Sequence, residues 1–257
     1  MILRSHVGAV YGELLSCAFR RSARLGDHGP IVSFSFDDFP RSAYVVGGDL
    51  LKRFGGRGTY YVAMDLMGSR NNLGEQFHQR DLCSLVEDGH ELASHTKSHL
   101  SSREVSFEQF RENVQEGREA IANATGMSDS GNFAYPYGHV TFGAKRKLGP
   151  ELASCRGTRG GTNGPDLDLN LLRANRLYGD LDQAGPAREL ILRNKRQKSW
   201  LIFYTHDVDQ RPSQFGCTPA LLEAALSYAV DEGARVMTIA AVLAEIGIQI
   251  PQLTPST

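Results

Sequence analysis

The chain has 257 residues, a formal net charge of -1, 41% hydrophobic and 22% charged residues. That balance is ordinary for a globular chain and gives no basic surface of the kind that nucleic acid or an anionic membrane recruits. No apolar run approaches the length of a bilayer span, and Cys17, Cys83, Cys155 and Cys217 show no CxxC spacing, so neither a zinc knuckle nor a redox pair is indicated.

The first stretch, "VGAVYGELLSCAF", is interrupted by Glu13 and followed by two arginines, with no small-x-small cleavage site. Val7, Val10, Leu14 and Ala18 lie at helical spacing, so residues 1–29 are expected as a helical extension rather than a signal peptide. The cysteines are expected as small buried residues in a reducing, cytoplasmic setting. From residue 30 onward one domain is expected.

Strands are expected at 31–36, 58–64, 90–94, 132–136, 152–155 and 200–205. They are short, rich in β-branched and aromatic residues, and bounded by Gly, Pro or Asp. Helices are expected between them at 41–54, 78–88, 106–125, 140–149 and 186–197. A helix at 218–231, a strand in "ARVMT" and a helix at 239–246 follow. The clearest helix is 106–125, with Ser106 to cap it, Gln109 three residues later and Gly126 to end it. Strand–helix alternation over this length predicts a parallel sheet covered by helices, and six or more units make closure into a barrel plausible. In such a barrel, chemistry gathers where the strands end.

Four of the expected strands end in reactive or site-building groups. Asp37 and Asp38 follow "IVSFSF", His95 and His99 follow "HELAS", "PYG" closes "NFAYP", and His206 and Asp207 follow "WLIFYT". His95 and His99 would share a face of a helical turn, within reach of one ion. Two histidines with one carboxylate form a recurring catalytic metal set with an open position. Neighbouring aspartates point to opposite faces of a regular strand, so both serve one site only where the strand stops, and Pro40 marks that stop.

"SFDDFP", "HTKSH", "FAYPYG" and "YTHD", in this order and spacing, resemble the polysaccharide deacetylases of the NodB-homology type, carbohydrate esterase family four, over roughly residues 30 to 245. The resemblance implies a distorted (β/α) barrel of about seven parallel strands. It also implies metal-dependent removal of N-acetyl groups from amino sugars or their polymers. By position, Asp37 matches the general base, and Asp38, His95 and His99 match the metal ligands, with zinc the expected ion. Tyr137 matches the residue whose backbone N–H binds the oxyanion beside Pro136, and His206 matches the general acid. An amide is a poor electrophile with a poor leaving group, which is why this chemistry calls for a Lewis acid, a base, an oxyanion donor and an acid together.

The chain departs from the family pattern at three positions. Phe39 replaces the usual glycine, Ala134 the usual arginine that pairs with the base, and Tyr204 a leucine of the acetyl pocket. Arg173 or Arg176 is the expected substitute for the missing arginine, and Asp166 and Asp168 are candidates to orient His206. The expected partner is a carbohydrate or other N-acyl substrate. A hydrolase of small non-peptide amides and a decayed carbohydrate-binding relative are the alternative readings.

Overall fold

In the computed structural model of this chain, residues 11–127 and 130–250 are described. Seven parallel strands form the sheet: β1 (Ile31–Asp37), β2 (Thr59–Val62), β3 (Glu91–Ser94), β4 (Asn132–Ala134), β5 (Ser154–Arg156), β6 (Asn175–Arg176) and β7 (Trp200–Thr205). They lie in the order β6-β7-β1-β2-β3-β4-β5 and curl into a distorted half-barrel, with Arg235–Val236 also paired to the start of β1. One more parallel bridge, Arg156 to Leu172, joins β5 to the segment that leads into β6.

Side-chain alternation divides the apolar residues into two layers. Val32, Phe34, Phe36, Tyr60, Val62, Leu92, Leu201 and Phe203 face outward. They pack beneath helices α1 (Gln79–Glu87), α4 (Ala184–Gln197) and α5 (Pro219–Asp231). Helices α2 (Phe107–Thr125) and α3 (Phe142–Leu148) lie between these in sequence. Ile31, Tyr61, Ala93, Ala134, Trp200, Ile202 and Tyr204 instead pack with Ile239, Val242 and Leu243 of the closing helix α6 (Ile239–Glu245), inside the curl.

The floor of this interior is polar and fully paired. The buried Glu91 carboxylate accepts from Thr59 Oγ1 (2.8 Å), Asn132 Nδ2 (2.6 Å) and the Ala240 N–H at the start of α6 (2.8 Å). Ser154 Oγ donates to Asn132 Oδ1, and Trp200 Nε1 donates to Ser33 Oγ. These polar groups give the closing helix one seat, since any other placement would leave buried donors and acceptors unmatched. Trp200 is therefore core.

His90, just before β3, accepts the Gly58 N–H at Nδ1 (3.0 Å). Burial pushes its pKa down to about 4, with Arg57 adding to the effect. The folded value lies below the usual 6.5, so this contribution to stability is present above about pH 6.5 and is lost as pH falls toward 4. We expect the thermal midpoint to fall between pH 7 and pH 4.5. The fall should be smaller in His90→Asn, whose amide oxygen can accept from Gly58 without titrating. Parallel pH curves for the two proteins would contradict this.

The expected elements are present with shifted ends, and three differences have physical causes. Within 41–54 a π-helical turn, Ala43–Gly48, runs into a short helix, Asp49–Arg53, and the Gly47–Gly48 pair lets this segment pack tightly on the sheet. A Cβ on Gly47 would meet the Phe36 ring at 3.1 Å. β6 is two residues long, below what periodicity can reveal. Strand 152–155 begins later, at Ser154, and ends on Arg156. The cap of α2 is as expected: Ser106 accepts from the Gln109 N–H, Gln109 reaches back to the Ser106 N–H, and Gly126 is left-handed.

At the N-terminus, residues 11–17 are helical; Val7 and Val10 lie outside the described residues. The backbone carbonyl of Leu15 accepts from the buried Lys145 Nζ (2.7 Å), and strand Ser22–Arg24 pairs with Asp166–Asp168. Cys155 and Cys217 are buried as expected, whereas Cys83 is half-buried and Cys17 exposed. No helix among the described residues is long and apolar enough to cross a membrane.

Candidate active site

β1 ends at Asp37, and the next two residues, Asp38 and Phe39, take left-handed backbone conformations (φ 64° and 61°). That turn is how two adjacent carboxylates reach one site. Asp37 stays on the inward face, and Asp38 swings over the rim. Phe39 is fully buried, stacked on Phe77 with ring centres 5.1 Å apart, and its packing stabilises the strained turn.

The segment "HTKSH" is not helical. Thr96 and His99 are both left-handed (φ 64° and 56°), and the chain folds back so that the two imidazoles lie 4.9 Å apart. The expected helical turn is thus corrected: the rings meet through two strained residues. Helix α2 holds the loop in place. Asn113 Oδ1 accepts from the Lys97 and Ser98 N–H groups, and the Asn113 carbonyl also accepts from Lys97 N–H. A Cβ on Gly117 would lie 2.7 Å from the Thr96 carbonyl carbon, so only glycine lets the helix approach this closely.

Asp38 Oδ1 is 3.2 Å from His99 Nε2 and 3.6 Å from His95 Nε2, and the ligand atoms of all three lie within 4.8 Å of one another. Asp38 Oδ1 is buried without a hydrogen bond. His95 donates from Nδ1 to the Ala134 carbonyl (2.7 Å), because a carbonyl only accepts, and this leaves its Nε2 lone pair facing Asp38. Burial drives the His95 pKa down to about 3 and lowers that of His99. Burial also pushes Asp38 up to about 6, with His206 opposing and Asp37 adding to the shift. Two neutral imidazoles and an unpaired carboxylate oxygen are a donor set that suits a cation. Ligands on a tetrahedral ion with arms of 2.0–2.1 Å stand roughly 3.3 Å apart, close to the spacings seen here.

Asp37 does not join this cluster. Its carboxylate accepts from Arg156 Nη2, and both groups are buried. Burial alone would raise the Asp37 pKa. The Arg156 charge, with His95 and His206, outweighs that and holds it below the usual carboxylate range. This corrects the expectation for Arg173 and Arg176. Arg173 donates to the Gly160 carbonyl, Arg176 is exposed at the end of β6, and neither bonds Asp37. The signal for Arg156 was in the sequence: it follows "LASC" as Asp37 follows "IVSFSF", at the end of an expected strand.

His206 donates from Nδ1 to the Phe215 carbonyl (3.1 Å), and Tyr178 and Phe215 flank its ring at 5.9 and 5.7 Å. Asp207 fixes the loop that carries Phe215, accepting from Ser213 N–H (2.7 Å) and Ser213 Oγ (2.5 Å). Asp166 and Asp168 take no part. Asp166 is exposed at the start of its strand, and Asp168 pairs with Lys145 at 2.7 Å. Tyr137 is left-handed (φ 59°) in the turn after β4, its exposed ring 4.4 Å from that of His99, and Pro136 beneath it is buried. Tyr204 points inward from β7 against the Arg156 guanidinium.

We expect Gly117→Ala to push the "HTKSH" loop off α2 and to weaken divalent-ion affinity by about 10–100-fold, the usual cost of disturbing the supports of metal ligands. Competition with a chromogenic chelator measures this, and an unchanged dissociation constant would contradict it.

Residues 25–148 match the polysaccharide deacetylase family. No curated protein matches the chain. Among solved structures it is similar to a T48 deacetylase with substrate, at 19% identity over 87% of this chain and 96% of that one, TM-score 0.55. It is also similar to a family 4 acetyl xylan esterase from Clostridium thermocellum in complex with a cobalt ion, at 18% identity, 86% and 94% coverage, TM-score 0.58. A third is a CE4 family pseudoenzyme from Bacillus anthracis, at 14% identity, 84% and 66% coverage, TM-score 0.52. At such identities the likeness speaks to the fold, and with the family match and the curled parallel sheet it shows that the chain carries a polysaccharide deacetylase domain of the NodB-homology type.

Proposed function

We propose that the protein is a metal-dependent hydrolase that removes N-acetyl groups from an amino sugar or a polymer of one, peptidoglycan included. The observation that carries this reading is the convergence of Asp38 Oδ1, His95 Nε2 and His99 Nε2, with Asp37 held apart from them by Arg156. The fold alone does not carry it, since a pseudoenzyme shares the fold.

Asp38, His95 and His99 would hold one divalent ion, zinc by the chemistry of the donors, and that ion supplies Lewis acidity toward an acyl oxygen. Asp37 stays ionised beside Arg156 and accepts the proton of the attacking water. The Tyr137 N–H donates to the oxygen that gains charge. With Nδ1 tied to the Phe215 carbonyl, His206 turns Nε2 toward the substrate and, as the imidazolium, gives its proton to the leaving amine.

Acetate release from a panel tests the reading: N-acetylglucosamine oligomers, peptidoglycan fragments, acetylated xylan and small non-sugar acetamides, each with added zinc. Release from the amino sugars in preference to the others supports it. Release only from the small acetamides would replace it with a non-sugar amidase.

A further inference from the structure

Residues 11–24 precede the stretch that matches the family, yet they are tied into the domain. Tyr11 Oη donates to the Val140 carbonyl (3.2 Å), and Arg159 Nη1 donates to the Gly12 carbonyl (2.8 Å) and to Ser16 Oγ (2.5 Å). Val140 lies in the segment after β4 and Arg159 in the loop after β5. The helical residues 11–17 therefore lie against loops that follow strand ends, on the rim that carries the metal ligands.

Among the described residues, this helix and the rim enclose a cavity of about 390 Å³, within the size range of ligand sites. Residues of the helix form one wall. The others come from Arg103 in the loop after β3, Gly138 in the turn after β4, and Thr158 in the loop after β5. Gly138 is left-handed (φ 65°), and a Cβ there would lie 2.1 Å from Thr158 Oγ1, so only glycine lets the last two loops meet. His99 stands on the first of these loops and Tyr137 on the second. The exposed Tyr137 ring, 4.4 Å from that of His99 and 5.4 Å from that of His139, links the cavity to the metal ligands.

The lining mixes two kinds of surface. Leu15, Val140 and Leu171 are apolar. Arg159 and Glu13 are both exposed and 3.9 Å apart, too far to hydrogen-bond each other, and the Arg103 guanidinium lies 5.7 Å from the centre of the Tyr11 ring. A hydroxyl that donates and accepts at once can bridge such a carboxylate and guanidinium, while the C–H face of a sugar ring suits the apolar patch.

We propose that this cavity is a subsite for a further sugar unit of the substrate chain, with the N-terminal helix as its outer wall and Glu13, Arg103 and Arg159 as its polar contacts. The inference rests on the hydrolase reading above for the reaction, but not for the binding itself.

The test has two arms. In the first, kcat and KM are measured on N-acetylglucosamine oligomers of two to six units for the wild type, Glu13→Ala and Arg103→Ala. Both side chains are exposed, so the fold should survive. The wild type should favour the hexamer over the dimer in kcat/KM. Each variant should reduce that preference by about 10-fold, the scale of one charge-assisted hydrogen bond, through KM rather than kcat. Equal losses on every length, or no loss, would overturn the proposal.

The second arm needs no turnover. In protein labelled with nitrogen-15, the hexamer should shift the backbone amide signals of Gly12, Glu13 and Ser16, and the dimer should shift them less. If the wild-type protein hydrolyses nothing, the reaction reading fails while this arm still decides the subsite. Amide signals of the helix that stay in place at millimolar hexamer would overturn it.

Discussion

Asp37→Asn should abolish nearly all amide hydrolysis while the protein keeps its metal, whereas Asp38→Ala should lose both. The two residues are neighbours, yet their surroundings are opposite. Asp37 faces a guanidinium and lies low on the pKa scale. Asp38 has a buried oxygen without a hydrogen bond and faces the Nε2 atoms of two imidazoles, of which that of His95 carries no proton. Asparagine at 37 keeps the size of the side chain and still accepts from Arg156, so the fold should survive. It removes only the ability to take a proton, and a loss of 10²–10⁴-fold in kcat is the usual scale for a missing base. Alanine at 38 removes one of three ligands. Metal analysis after dialysis, run beside kcat on each variant, decides the matter, and a reversed pattern would mean that the two roles are exchanged.

His206→Ala should lower kcat on the amide by about 10²–10⁴-fold without removing metal, since His206 is not among the three converging ligands. The leaving group gives a sharper comparison. An amine departs poorly without a proton, while an activated acetyl ester departs as a stable anion. Hydrolysis of the ester should therefore suffer much less. Equal losses on the two substrates would show that His206 has another task, such as shaping the loop through the Phe215 carbonyl.

The sequence made the rim legible because strand ends are marked by composition. "IVSFSF" and "WLIFYT" stop at charged or titratable residues, and both strands are where they were expected. What it did not reveal is backbone handedness. Asp38, Phe39, Thr96, His99 and Tyr137 are all left-handed without being glycine. No propensity predicts such residues, because tertiary packing, here Phe39 on Phe77 and α2 on the "HTKSH" loop, overrides the local cost. His95 and His99 thus come together through a non-helical loop rather than on the expected helical turn.

Arg156 escaped for a different reason. It falls one position past the expected strand end at 155, whereas the strand starts two residues later than expected and ends on it. Long-range partners such as Arg156 and Asp37, 119 residues apart, leave no mark in local periodicity. The same holds for the Phe215 carbonyl, since a backbone acceptor for His206 has no residue type to recognise.

The most direct test of the whole account is acetate release by protein stripped with a chelator and then titrated with zinc. The account predicts no measurable release from the stripped protein, recovery that saturates at one ion per chain, and no recovery in His95→Ala. Full activity in the stripped protein, or equal recovery in wild type and His95→Ala, would contradict it.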